Sequence, residues 1–140
     1  MKRFSVLAFA ALLILSPAIC LAGGGILRDA SNMEIGRIES DGTVRDRNNA
    51  SIGKIHSDGT IRNASNAQIG KLESDGTVRD SQNSALGRIE SDGTIRNASN
   101  AQIGKIESDG TIRNANNASL GRADGVKKEW AAVFFFFHFK

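Results

Sequence analysis

A period of 17 residues runs through this chain and limits its fold more than any other feature. Gly36, Gly53, Gly70, Gly87, Gly104 and Gly121 mark it. So do Asn32, Asn49, Asn66, Asn83, Asn100 and Asn117, and Arg28, Arg45, Arg62, Arg79, Arg96 and Arg113. Six copies start at Gly25, Gly42, Gly59, Gly76, Gly93 and Gly110. A unit reads Gly-Thr-(Val/Ile)-Arg-(Asp/Asn)-x-x-Asn-x-x-(Ile/Leu)-Gly-(Lys/Arg)-(Ile/Leu)-(Glu/His)-Ser-Asp. Two turn signals inside 17 residues leave no room for an apolar helical stripe, so each unit holds two short strands.

The Glu39–Thr43 segment and its copies fix the register. A two-residue Asp-Gly turn would set Ile38 beside Arg45, mixing apolar and charged residues on one face. A three-residue loop ending in a left-handed glycine pairs Glu39 with Thr43 and sets Ile38 opposite Val44. Only the second register is amphipathic. Asp41, Gly42, Asp58, Gly59, Asp75, Gly76, Asp92, Gly93, Asp109 and Gly110 are therefore read as structural turn residues. The Asn-rich segments (63–66, 97–100) close through their own side chains.

A single hairpin cannot bury its apolar face. An open array would leave two edges, and closure into a ring removes them. Five complete hairpins run from Ile35 to Asn114, and strands 26–29 and 120–123 can pair as a sixth, split one. The expected fold is all-β with one C-terminal helix: a closed or nearly closed barrel of about 12 short antiparallel strands. The spacing does not decide between five-fold and six-fold closure.

Twelve strands leave a hole, and residues 126–140 look like its filling. Trp130, Val133, Phe134, Phe135, Phe136, Phe137 and Phe139 form the expected core plug. A helix apolar on every side is buried or in a membrane, and this one is too short to span. Fifteen helical residues over 126–140 would measure about 22 Å, matching a short strand, with Asp124 as cap. The four consecutive Phe also suit a strand buried on both faces, and that alternative stays open.

Residues 1–22 resemble a signal peptide, with Lys2 and Arg3 ahead of an apolar run and cleavage placed after Ala22. Lipid attachment at Cys20 is the other reading. Cleavage would leave 118 of the 140 residues, a single domain over 23–140 with repeats over 25–126 and no cysteine. A periplasmic or secreted bacterial protein, monomeric, is expected. Removing Lys2 and Arg3 leaves 16 basic against 15 acidic residues, which gives no ground for nucleic acid as partner.

Tandem short hairpins with Ser-Asp-Gly turns, a leader and a Phe-rich end resemble the bacterial β-flower proteins, of which a five-fold form is described. That resemblance covers Gly25 to Lys140. It implies a shallow symmetric barrel similar to the tubby C-terminal domain, in which twelve strands surround a hydrophobic helix. No molecular function comes with it for the bacterial members. The tubby relatives bind phosphoinositides, but no matching motif is present here and no site is carried over.

No residue set suggests catalysis, a cofactor or a metal. Calcium loops need several oxygens in one loop, and each turn offers one Asp. His56 and His138 lack companion ligands, and Glu39, Glu73, Glu90 and Glu107 are equivalent by repetition, whereas an acid/base pair needs two environments. A hydrolase would need one copy to break the pattern with a catalytic set. The Arg and Lys ring (Arg37 with Arg45, Lys54 with Arg62) is largely cancelled by Glu, yet a belt for lipid headgroups stays open. Asn49, Asn63, Asn97 and Asn117 lie in Asn-x-Ser sequons and are read as turn residues. The expected function is a non-enzymatic structural or binding module with a lipid or cell-surface component as possible partner class; the alternative is a carrier of lipid or another apolar ligand in the lumen.

Overall fold

The computed structural model describes residues 24–139; the leader, its cleavage point and Cys20 lie outside them. Twelve strands follow one another as β1 Gly25–Asp29, β2 Glu34–Ile38, β3 Thr43–Asp46, β4 Ser51–Ile55, β5 Thr60–Asn63, β6 Gln68–Leu72, β7 Thr77–Asp80, β8 Ala85–Ile89, β9 Thr94–Asn97, β10 Gln102–Ile106, β11 Thr111–Asn114 and β12 Ser119–Asp124. Each pairs with its chain neighbours, and β1 pairs with β12, closing an antiparallel barrel without an edge.

The turns explain the register. Ile38 lies opposite Val44 and Arg37 opposite Arg45, the arrangement of the three-residue loop. Gly42 takes φ +94°, which a residue with a β-carbon rarely adopts, and donates its N–H to the Glu39 carbonyl (2.8 Å). At the other end the left-handed residue is asparagine: Asn49 has φ 70° and Asn66 has φ 68°. Asn tolerates this conformation better than other residues with side chains. The preceding Asp46 or Asn63 steadies the turn, its Oδ1 accepting two backbone N–H groups at 2.9–3.0 Å.

Each pairing across an Asn turn carries a bulge. Val44 faces Gly53 and Arg45 faces Ser51, which leaves Ile52 as the extra residue. The same slip frees Ile35, Ile69, Leu86, Ile103 and Leu120. Strict alternation would set these aliphatics on the charged outer face; with the bulge they pack against the core. Further in sit Leu27, Ile38, Val44, Ile55, Ile61, Val78, Ile95 and Ile112, each at most 1 % exposed.

The tail fills the ring, with a shape that differs from a fifteen-residue helix. Only Lys128–Ala132 (α1) is α-helical, Val133–Phe137 is a π-turn, and His138 is extended. The expected cap is also corrected. The residue before α1 is Lys127, without a side-chain cap bond, because β12 runs through Asp124 and residues 125–127 separate it from the helix. Asp124 instead accepts from Arg122 (2.8 Å) and pairs with Arg28 (3.5 Å).

The π-turn has a geometric cause. Phe134 lies against Gly36, Phe136 against Gly104, Phe137 against Gly87, His138 against Gly70 and Phe139 against Gly53. From Phe136 to Phe139 each residue steps back by one repeat, a sixth of a turn in a ring of six. An α-helix advances faster, with about 3.6 residues per turn, so the backbone must widen. The His138 N–H accordingly reaches the Val133 carbonyl five residues back, at 2.7 Å. Phe139 closes the series with φ 72°.

Size complementarity follows. A β-carbon on Gly87 would stand 2.7 Å from the Phe137 ring, too close for any side chain. Higher in the lumen Ala131, Ala132 and Val133 are fully buried in one cluster with the aliphatic ring. Large tail residues meet small barrel residues, and small ones share the layer of large ones. At the sixth position Gly121 abuts the backbone of Arg28, and Phe135 packs edge-on against Phe134 (5.5 Å, 66°).

Candidate functional site

Two surfaces distinguish the barrel: the belt of charges around its wall and the mouth where the Ser-Asp-Gly turns meet the tail helix.

On the wall an arginine braces its own hairpin. Arg45 Nε donates to Glu39 (2.9 Å) and Nη1 to the carbonyl of the left-handed Asn49 (3.0 Å). Arg79 with Glu73, Arg96 with Glu90 and Arg113 with Glu107 repeat the pairing at 2.9–3.0 Å. The second hairpin departs: His56 offers no carboxylate, and Arg62 bonds the Asn66 carbonyl (3.0 Å). Four arginines of the belt are thereby tied up in cross-strand pairing. The sequon residues are also engaged. Asn63 and Asn97 hold their turns with Oδ1, and Asn49 and Asn117 occupy the left-handed positions.

At the mouth each Asp has two jobs done for it by one threonine. The Thr43 N–H donates to Asp41 Oδ1 (2.9 Å), and backbone and hydroxyl bonds from Thr43 hold the Asp41 carboxyl below its ordinary range. Thr60, Thr77, Thr94 and Thr111 do the same for Asp58, Asp75, Asp92 and Asp109. The neighbouring glycine joins one hairpin to the next. The Gly42 carbonyl accepts the Ile55 N–H (2.9 Å), and a β-carbon on Gly42 would collide with the Ile55 carbonyl. These residues are thus joints between hairpins as well as turns.

The helix breaks the symmetry of this rim and opens two clefts beside it. One, of about 360 Å³, runs along three successive turns, from His56-Ser57-Asp58 through Glu73-Ser74-Asp75 to Ser91, and is closed by Lys127, Glu129 and Trp130. The other, of about 460 Å³, lies between Glu107, Asp109, Asp124 and Lys128. Lys128 Nζ ties the helix to the rim through the Ser91 carbonyl (2.6 Å). Lys127 Nζ stands 4.7 Å above the Trp130 ring. His56 Nε2 is shielded from solvent and has no hydrogen-bond partner among the described residues.

The expected plug residues thus divide. Val133 and Phe134 are buried, Trp130, Phe135, Phe136, Phe137 and Phe139 pack against the core while partly exposed, and Trp130 also forms a cleft wall at the mouth. Trp130 thus packs against the core on one side and walls the cleft on the other, a double role that hydropathy does not show. The signal that it missed was local: the only Trp stands between Glu129 and Ala131, directly after two lysines. His138 was set aside as a lone histidine. It takes one place in the ring series, with Nε2 3.4 Å from the Arg79 carbonyl. No helix among the described residues is long and apolar enough to cross a membrane.

Comparison with curated proteins gives no match, and neither does comparison with solved structures. A family model described as "5-fold beta-flower protein" matches residues 25–139. It spans the whole closed ring and the tail inside it, and the chain belongs to the five-fold β-flower family.

Proposed function

We propose that this chain is an exported, non-enzymatic binding module that presents the mouth of a filled barrel to a small ligand or a surface component of the periplasm or cell exterior. One observation carries the reading: the lumen is taken up by the tail, with Ala131, Ala132 and Val133 fully buried, while the concave surfaces lie at the Ser-Asp-Gly rim. Clefts lined by a few convergent polar groups are the usual place for recognition. The leader-like residues 1–22 support export. Equivalence of the repeats speaks against catalysis, since repeated carboxylates in one environment do not split into acid and base.

A lipid carrier would need room that the aromatic tail occupies. Native mass spectrometry of the protein purified from its own host tests this. The bare polypeptide mass, or an adduct of a polar molecule, fits the module. A lipid adduct that survives desalting overturns it in favour of the carrier.

A further inference from the structure

We propose that the cleft beside Trp130 is a site for a small organic cation, a ligand bearing an ammonium group. The proposal rests on the mouth being the binding face and names the chemistry it selects.

The walls are unequal in charge. Asp58, Glu73, Asp75 and Glu129 line the cleft against the ammonium of Lys127, and Glu73 is already engaged by Arg79. Lys71 acts on Asp58, and Arg88 and Arg79 on Asp75, from outside the lining, so the acidity belongs to the immediate walls, where four carboxylates face one ammonium. Asp58 and Asp75 stay ionised well into acid because their threonines stabilise the charged form.

The aromatic wall adds direction. Trp130 already holds an ammonium over its ring, that of Lys127 at 4.7 Å. An indole face with a cation above it and carboxylates around it is the arrangement that recognises amines. Lys127 comes from an exposed position just before the helix and acts as an internal occupant that a ligand displaces. A further wall carries a departure from the repeat: His56 stands where four other hairpins carry Glu. The second cleft has a similar charge balance but no aromatic wall.

Trp130 is the only tryptophan, so its emission reads the site directly. The probe is choline, titrated into the mature protein at low salt, with the uncharged isostere 3,3-dimethyl-1-butanol as control. Saturable change with choline and none with the isostere is expected. Lys127→Ala, which frees the ring face, should tighten choline binding by about two- to fivefold. Glu129→Gln should weaken it by a similar factor. Far-UV circular dichroism of both variants checks that the barrel is unchanged. Absence of a saturable response, or a response that neither substitution moves, overturns the proposal. An equal response to the isostere overturns the cation class while leaving the mouth as a binding face. A lipid adduct in the native mass spectrum would instead remove the reading on which the proposal rests.

Discussion

Removing Glu129 to Lys140 should unfold the barrel. The deleted segment contributes Val133 and Phe134, both buried, and Trp130, Phe135, Phe136, Phe137 and Phe139, which pack against the core while partly exposed. Full burial of a large apolar side chain is worth about 1.5–3 kcal/mol. Taking the partly exposed ones at roughly half, the segment supplies about 7–13 kcal/mol. That is an upper figure, because an unfolded chain already buries some of this surface. It still matches the whole net stability of an ordinary domain, about 5–15 kcal/mol. The loss is compounded by what remains: a ring of Ile, Leu and Val around an opening that nothing else in the chain can fill, with glycines where the rings had stood. The assay is a thermal melt followed by far-UV circular dichroism, comparing residues 23–140 with residues 23–128. The expected result is no cooperative transition, or aggregation, in the shorter protein. A sharp transition within a few degrees of the longer one would refute the reasoning and show that the strand ladder alone holds the ring.

Gly87→Ala forces a β-carbon against the Phe137 ring and the Arg96 carbonyl, and should cost about 1–3 kcal/mol as overpacking, seen as a lower denaturant midpoint with unchanged slope. His56→Glu restores the carboxylate that Arg62 lacks, and should raise the melting temperature slightly, by up to about 1 kcal/mol of stability. The five rim aspartates give a pH dependence whose sign is set by their lowered native values. They bind fewer protons folded than unfolded, so their stabilisation is complete above the ordinary carboxylate range, near 3.8, and is lost as pH falls through their lower folded values. Urea midpoints should therefore fall steadily below about pH 4, and replacing all five by Asn should flatten that slope.

Much of this fold was legible because the repeat restates each constraint. The pairing of Ile38 with Val44 followed from demanding one apolar face per hairpin, and closure followed from the lack of any way to end an open array. The bulge at Ile52 was harder to read. Its residue lies between two polar neighbours, and only three-dimensional pairing shows that Ser51 and Ile52 share one partner. The tail was misjudged in shape for a related reason. Hydropathy showed that residues 130–139 are apolar but not that they must distribute one side chain per repeat, which a regular helix cannot do. Asp124 looked like a cap because Asp is a good one, yet β12 claims it first. The mouth cleft was invisible, since it is made by residues from three turns and the helix, none of which is unusual alone.

The match of one tail ring to one repeat has a consequence for how such a gene can change. Tandem near-identical units gain and lose copies readily, and an open solenoid absorbs the change by growing longer or shorter. Here the diameter depends on the number of strands, so one unit fewer tightens the wall around an unchanged plug, and one more loosens it. The aromatic series from Phe134 to Phe139 acts as a fixed gauge against which the copy number is measured. Drift in repeat number, tolerated elsewhere, becomes a folding defect in this molecule.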